Sequence, residues 1–282
     1  MGFMIVVAPV VLAATFPPQK RGVPMGIWST WVPLGSLIMY SVSPLLADAF
    51  GWQAVWWFGS AFSLVAFIFY WVLVQTQSAQ GEPPEASTDD KEQPSLFRAI
   101  AKKSIWLLSL EFCCFNVVIL AFLTFLPTFL TSERGYSLKA ASLVTSIIML
   151  MSLIACPVGG MISDRIGSRK LVFTVPIIAV TVISLFPFRL TGWMIPAFLA
   201  LFGILTGSIP PAVFAAVPEI MKNPKLTGTG MAVLSLGQNL GMFVGPVLFG
   251  KIVGATSWVR AGYMLVFFSA LTVVSGWLVK VR

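Results

Sequence analysis

Apolar runs and polar hinges alternate along the whole chain, and nine apolar segments can be marked at 2–16, 22–46, 52–74, 104–131, 138–162, 171–188, 193–218, 227–253 and 258–279. All but the first approach or exceed the roughly 20 residues a helix needs to cross the hydrocarbon core. The first has no basic stretch ahead of it and no small-residue cleavage site, so it makes a poor signal peptide, and Val6 stands where a myristoylation signal wants Ser or Thr. The pattern predicts an all-α membrane protein with nine transmembrane helices. Between 75 and 103 it breaks down: Gly81-Glu82-Pro83-Pro84-Glu85 and Asp89-Asp90-Lys91-Glu92 are polar, Pro-bearing and without helical period. That divides the chain into a three-span unit at 1–75, a linker at 76–103 and a six-span unit at 104–282.

The first and last thirds of the chain repeat each other. At an offset of 206 residues and without a gap, Pro18 falls on Pro224, Gly22 on Gly228, Met25 on Met231, Gly35 on Gly241, Trp52 on Trp258 and Trp71 on Trp277. Matching prolines, glycines and tryptophans carry more weight than matching aliphatics, because each serves a particular backbone or headgroup role. Both copies run the same way through the bilayer, the arrangement in which two halves are related by an axis along the membrane normal. The same offset places the counterpart of Ser104 ahead of Met1 and predicts about a hundred further residues, enough for three helices, upstream.

Composition agrees with lipid as the solvent. Of 282 residues 57% are hydrophobic and 10% charged, where a soluble domain carries roughly a quarter charged residues. The net charge of +8 lies at segment ends rather than in one basic face, so it implies topology, not nucleic-acid binding. If the ends alternate across the bilayer, Arg134, Lys139, Arg189, Lys251 and Arg260 fall on one side and the other thirteen of the 18 Lys and Arg on the opposite side. The positive-inside bias makes the richer side cytoplasmic, with the N-terminus outside and the C-terminus inside. There is no histidine, and Cys113, Cys114 and Cys156 all lie in apolar segments without metal-ligand spacing. Neither a catalytic constellation nor a metal or cofactor site is expected.

Gly160-Met161-Ile162-Ser163-Asp164-Arg165-Ile166-Gly167-Ser168-Arg169-Lys170 is similar to the cytoplasmic loop signature of the major facilitator superfamily, and Ser168 departs from it where a basic residue is usual. Physically, Gly160 lets two helices approach, Asp164 can meet the positive N-terminus of a neighbouring helix, and Arg165, Arg169 and Lys170 keep the loop in the cytoplasm. The stretch from Phe16 to Trp28 and the Gly51-Trp52 pair resemble the family's fourth-to-fifth junction and the turn before its sixth helix, with a flavour similar to cyanate-permease-like carriers. The resemblance covers essentially the whole chain. It implies two helical bundles in the bacterial inner membrane and alternating access around a central cavity. Its cargo would be a small solute, an organic or inorganic anion by that flavour, carried either with a proton as coupling ion or by facilitated passage; the alternative is a polytopic scaffold or a fragment inactive in transport. The loop containing Gly160, Asp164, Arg165, Gly167, Arg169 and Lys170 would be a conformational latch.

Polar residues inside the apolar segments are the solute-contact candidates. Thr206 and Ser208 stand beside a break made by Gly203, Gly207, Pro210 and Pro211, which is either a packing kink or a binding element. Gln238 and Asn239 can meet solute or bond between helices. Glu111 is a carboxyl well inside a segment and so a candidate for proton coupling; the alternative is a side chain reaching back to the interface near Lys103. Asn116 lies about 140° round the same helix and cannot face the same small ligand as Glu111. The glycines at 237, 241 and 245 form a stripe best read as tight helix packing.

Overall fold

The computed structural model describes residues 2–74 and 101–279. The linker expected over 76–103 falls, apart from its last three residues, outside the described residues. The described elements are helical: α1 (Gly2–Thr15), a 3-10 turn (Pro18–Lys20), α2 (Gly22–Ser29), α3 (Trp31–Phe50), α4 (Trp52–Val74), α5 (Lys103–Arg134), α6 (Leu138–Ile166), α7 (Arg169–Ile183), α8 (Met194–Gly207), α9 (Ile209–Met221), α10 (Pro224–Ala255) and α11 (Trp258–Leu278). Prolines explain the two close pairs. Pro33 follows the break between α2 and α3, and Pro210 and Pro211 follow that between α8 and α9. Each removes a backbone donor and crowds the preceding turn.

Among the described residues seven helices or helix pairs are long and apolar enough to cross a membrane: Gly22–Phe50, Trp52–Phe69, Lys103–Arg134, Leu138–Ile166, Met194–Met221, Pro224–Ala255 and Trp258–Leu278. This is fewer than the nine expected, and the two shortfalls have a common cause. α1 has 14 residues and α7 has 15, which at 1.5 Å per residue is about 22 Å or less against a core of about 30 Å. The segment at 171–188 reads as one apolar run, yet its helix stops at Ile183 and Ser184 caps it. Hydropathy registers composition and is blind to that turn. Within Trp52–Phe69 none of the window is buried inside the protein, and Trp52, Trp56, Trp57 and Phe62 are all exposed. In water such a face would be a large apolar patch; in lipid it is ordinary.

The elements obey the internal repeat. Trp52 and Trp258 each open a helix, and Pro18 and Pro224 each begin a helical turn. The core is densest where α10 lies against α5. A Cβ added at Gly241 would strike the Cys113 carbonyl oxygen and one at Gly245 would lie 2.5 Å from that of Val117. The glycine stripe is therefore a contact of backbone on backbone, the packing that small residues permit in lipid.

Candidate functional site

The signature loop is built into a joint between the two ends of the chain. α6 ends at Gly167, whose φ of +69° places it in the left-handed region suited to glycine and whose N–H donates to the Ser163 carbonyl. Ser168, the departure from the family pattern, then caps α7 by accepting from the Leu171 N–H at 3.4 Å. The turn aims Asp164 at the start of α2. Its Oδ1 accepts from the Gly22 N–H at 2.9 Å and its Oδ2 from the Val23 N–H at 3.0 Å. A carboxylate on two otherwise orphaned donors at the positive end of a helix is favoured twice over. Gly22 and Gly160 cross so closely that a Cβ on either would collide with the carbonyl oxygen of the other.

Arg169 knits the joint together. Only 4% of its side chain is exposed. It donates from Nη1 to Asp164 Oδ1 at 2.7 Å and Ser163 Oγ at 2.8 Å, from Nε to Glu219 Oε1 at 3.1 Å, and from Nη2 to the Pro18 carbonyl at 2.7 Å. The planar fork of guanidinium suits such divergent acceptors as no lysine would. Lys170 instead donates to the Trp277 and Val279 carbonyls and holds the end of α11. Arg165 is exposed on the rim of a groove it shares with Lys20. Arg21 donates to the Ala13 and Phe16 carbonyls. Burial draws its pKa down from the ordinary value against the pull of Glu219, and as a guanidinium it stays charged. Glu219 is the member of the joint that the sequence reading missed. Its one signal is an acid at the end of an apolar segment on the side otherwise rich in cations.

Above this joint lies a cavity of about 1150 Å³ between α2, α3 and α4 on one side and α5, α6, α8, α9 and α10 on the other. On the joint side it is floored by aromatic rings. Trp28 meets Phe214 edge-on with centroids 5.0 Å apart, and Phe112 meets Phe214 at 5.4 Å. At the other extreme the wall reaches Leu138, in the first turn of α6, and Ala47, near the end of α3. The cavity thus extends away from the joint. Asn116, Thr206, Gln238 and Asn239 all line it. Ser208 does not, and its hydroxyl donates to the Leu205 carbonyl within the helix break. Glu111 lies elsewhere. It is fully buried, a Cβ at Gly276 of α11 would sit 3.5 Å from its Cγ, and neither carboxyl oxygen has a hydrogen-bond partner. The reach back toward Lys103 is not seen. Glu111 and Asn116 face different surroundings, as their angular spacing requires. Among the described wall residues none is charged, so the anion expected from the family flavour meets no cation here.

An assembly of long apolar helices, with a large cavity between helices from both ends of the chain and a charged joint beside it, defines the class of polytopic helical membrane proteins. The chain belongs to the Major Facilitator Superfamily, whose profile matches residues 1–223. It is 25% identical over 274 residues to a hexuronate transporter of Bacillus subtilis, covering 89% of this chain and 63% of the relative. It is 25% identical over 304 residues to a probable galactarate/D-glucarate transporter of Escherichia coli, covering 96% and 66%. The chain therefore spans just under two thirds of the length of these relatives. Its fold matches a crystal structure of the E. coli fucose:proton symporter with a TM-score of 0.76 at 15% identity, over 99% of this chain and 74% of that one.

The joint makes one prediction directly. Asp164→Asn keeps the shape but removes the charge and turns one acceptor into a donor facing the Val23 N–H. Losing charge-assisted bonds at a helix N-terminus weakens that contact by about 1–3 kcal/mol, roughly five- to 150-fold in an equilibrium between two conformations. Solute flux in proteoliposomes should fall while equilibrium solute binding persists. Binding lost together with flux in a well-folded variant would put Asp164 in the solute site instead.

Proposed function

We propose that the protein is a secondary active transporter that moves a small solute through this cavity by alternating access. The observation that carries the reading is the pairing of a cavity walled by helices from both ends of the chain with a joint, Asp164 on the α2 N-terminus, that seals one end of it. Two bodies that meet through a few charged bonds at one end can part there and close at the other. The relatives that carry hexuronate and galactarate/D-glucarate, and the fucose:proton symporter whose fold the chain shares, support a small solute and a proton as coupling ion. Asn116, Thr206, Gln238 and Asn239 are the solute contacts in this reading. Residues 1–75 and 104–282 are the moving bodies, joined by the linker at 76–103.

The positive-inside bias puts the joint and the C-terminus on the cytoplasmic side of a bacterial inner membrane and the N-terminus outside. α1 and α7 complete nine spans, the bilayer thinning around them to fit. Glu111 is the proposed proton carrier, because it is the one carboxyl among the described residues whose two oxygens are buried without a partner. A carboxyl buried in one conformation and wetted in the other exchanges its proton once per cycle. Proteoliposomes under an imposed proton gradient should accumulate a labelled solute, and a protonophore should abolish the accumulation. Glu111→Gln should eliminate gradient-driven accumulation and leave solute exchange. Accumulation by Glu111→Gln equal to wild type would remove Glu111 from coupling, and gradient-independent behaviour of the wild type would remove the proton.

A further inference from the structure

We infer that the groove at the joint is a site for one anionic phospholipid, whose phosphate sits between Lys20 and Arg165 and whose acyl chain lies along α6. The groove has a volume of about 410 Å³. Phe16, Val23, Pro24 and Met161 form its apolar wall, and Lys20, Asp164 and Arg165 supply its charged groups.

Charge selects the headgroup. Two cations of the joint are already engaged, Arg169 with Asp164 and Glu219, and Arg21 with the Ala13 and Phe16 carbonyls. Lys20 and Arg165 are exposed, and among the described residues neither side chain has a hydrogen bond or an ion pair. The acid in the wall does not answer them, because both oxygens of Asp164 are held by the Gly22 and Val23 N–H groups and Oδ1 also by Arg169. Four cations, Lys20, Arg21, Arg165 and Arg169, therefore face two acids, Asp164 and Glu219, and the joint is left positive. A phosphate diester carries its charge on two oxygens, which an ammonium and a guanidinium can share.

The wall selects what the phosphate is attached to. Ile154, Val158, Met161 and Arg165 follow one another at steps of three and four residues, so they share one face of α6, and all four are exposed. On α2, Ile27 follows Pro24 by three residues and is exposed as well. Both faces belong to segments long and apolar enough to cross a membrane, where exposed apolar side chains meet acyl chains. Cations at the end of such a face, on the side where the positive-inside bias gathers Lys and Arg, hold an anionic headgroup. An inorganic phosphate would meet the same cations and leave the apolar wall without a ligand. On the transporter reading the same lipid also biases access: Lys20 precedes α2 in the first body and Arg165 ends α6 in the second, so a headgroup shared between them bridges the closed joint. A ligand that binds one conformation shifts the population toward it.

The test uses the full chain in detergent and native mass spectrometry against equimolar phosphatidylglycerol and phosphatidylcholine with the same acyl chains. The phosphatidylglycerol adduct should be at least fivefold the more abundant. Lys20→Gln combined with Arg165→Gln should bring it down to the phosphatidylcholine level. Lys103→Gln combined with Lys225→Gln, which removes two exposed cations that do not line the groove, should leave it unchanged. Equal adducts for the two lipids, equal loss in the two double variants, or displacement of phosphatidylglycerol by equimolar inorganic phosphate would each overturn the site. In nanodiscs, phosphatidylglycerol should raise the population with short spin-label distances between α2 and α6 in the wild type but not in the Lys20→Gln/Arg165→Gln variant. Adducts that form with no change in those distances would refute the bridge between moving bodies and leave the site intact. Distances that respond to Asp164→Asn in a protein that forms no adduct would overturn the site and leave the transporter reading intact.

Discussion

Replacing Arg169 with alanine is expected to undo the joint altogether: solute flux in proteoliposomes should drop by two orders of magnitude or more, and the two ends of the chain should separate on the joint side. The reason is the number of groups that depend on it. Arg169 is held at 4% side-chain exposure by two carboxylates, a hydroxyl and a carbonyl, with Asp164 at 13% and Glu219 at 22%. Deleting the cation leaves those two acids close together without their shared partner. Breaking a buried, hydrogen-bonded ion pair by removing one member costs about 3–5 kcal/mol, well above the worth of an exposed pair. Arg169→Lys should rescue little, because one ammonium cannot reach Asp164, Glu219 and the Pro18 carbonyl in the geometry the guanidinium fork provides. Full rescue by lysine would mean that net charge matters at this position and directed hydrogen bonding does not. Distance measurements between spin labels on α2 and α6 check the separation, and unchanged distances would deny Arg169 its place in the closure.

The second large effect concerns stability. Gly241→Leu should lower the apparent melting temperature by about 10 °C or prevent recovery of folded protein. The added Cβ would lie 2.9 Å from the Cys113 carbonyl carbon and 3.0 Å from the Asn116 Cβ, and it would overlap the Cys113 carbonyl oxygen. Those atoms belong to a helix backbone and to a side chain stem, so neither can swing aside. Overpacking typically costs 1–3 kcal/mol, occasionally more, and each kcal/mol moves the midpoint of a domain this size by about 2–4 °C. Gly254→Leu on the same helix is the control, since a Cβ there meets nothing within 4 Å. Equal melting temperatures for the two variants would show that α10 can shift off α5 at little cost.

Much of this was legible in the residues, and the gaps have physical causes. That Asp164 can meet a helix N-terminus was legible from a loop similar to the family signature, with Gly160, Asp164 and Gly167 in its register, and the carboxylate is found on the N–H groups of Gly22 and Val23. The break at Ser208 was legible because Pro210 and Pro211 cannot continue the preceding helix. Glu219 was not, since its value lies in being near Arg169, fifty residues away in sequence and brought there only by packing. The aromatic floor of Trp28, Phe112 and Phe214 was hidden for the opposite reason: among so many apolar residues, no local pattern distinguishes a ring that lines a cavity from one that faces lipid. Ser208 shows the limit of proximity arguments, for it sits beside Thr206 in sequence and yet turns its hydroxyl into the helix break rather than the cavity.

Alternating access through this cavity is the central claim, and side-selective labelling of Ser43→Cys tests it most directly. Ser43 lies on the cavity wall, and Cys113, Cys114 and Cys156 would first be replaced by alanine. In right-side-out and inverted vesicles a membrane-impermeant maleimide should reach the new thiol from outside when Asp164 is intact. It should reach it from the cytoplasmic side once Asp164→Asn loosens the joint. Labelling from the cytoplasmic side that is the same with and without Asp164→Asn would contradict the account, because the cavity would then not be gated by the joint.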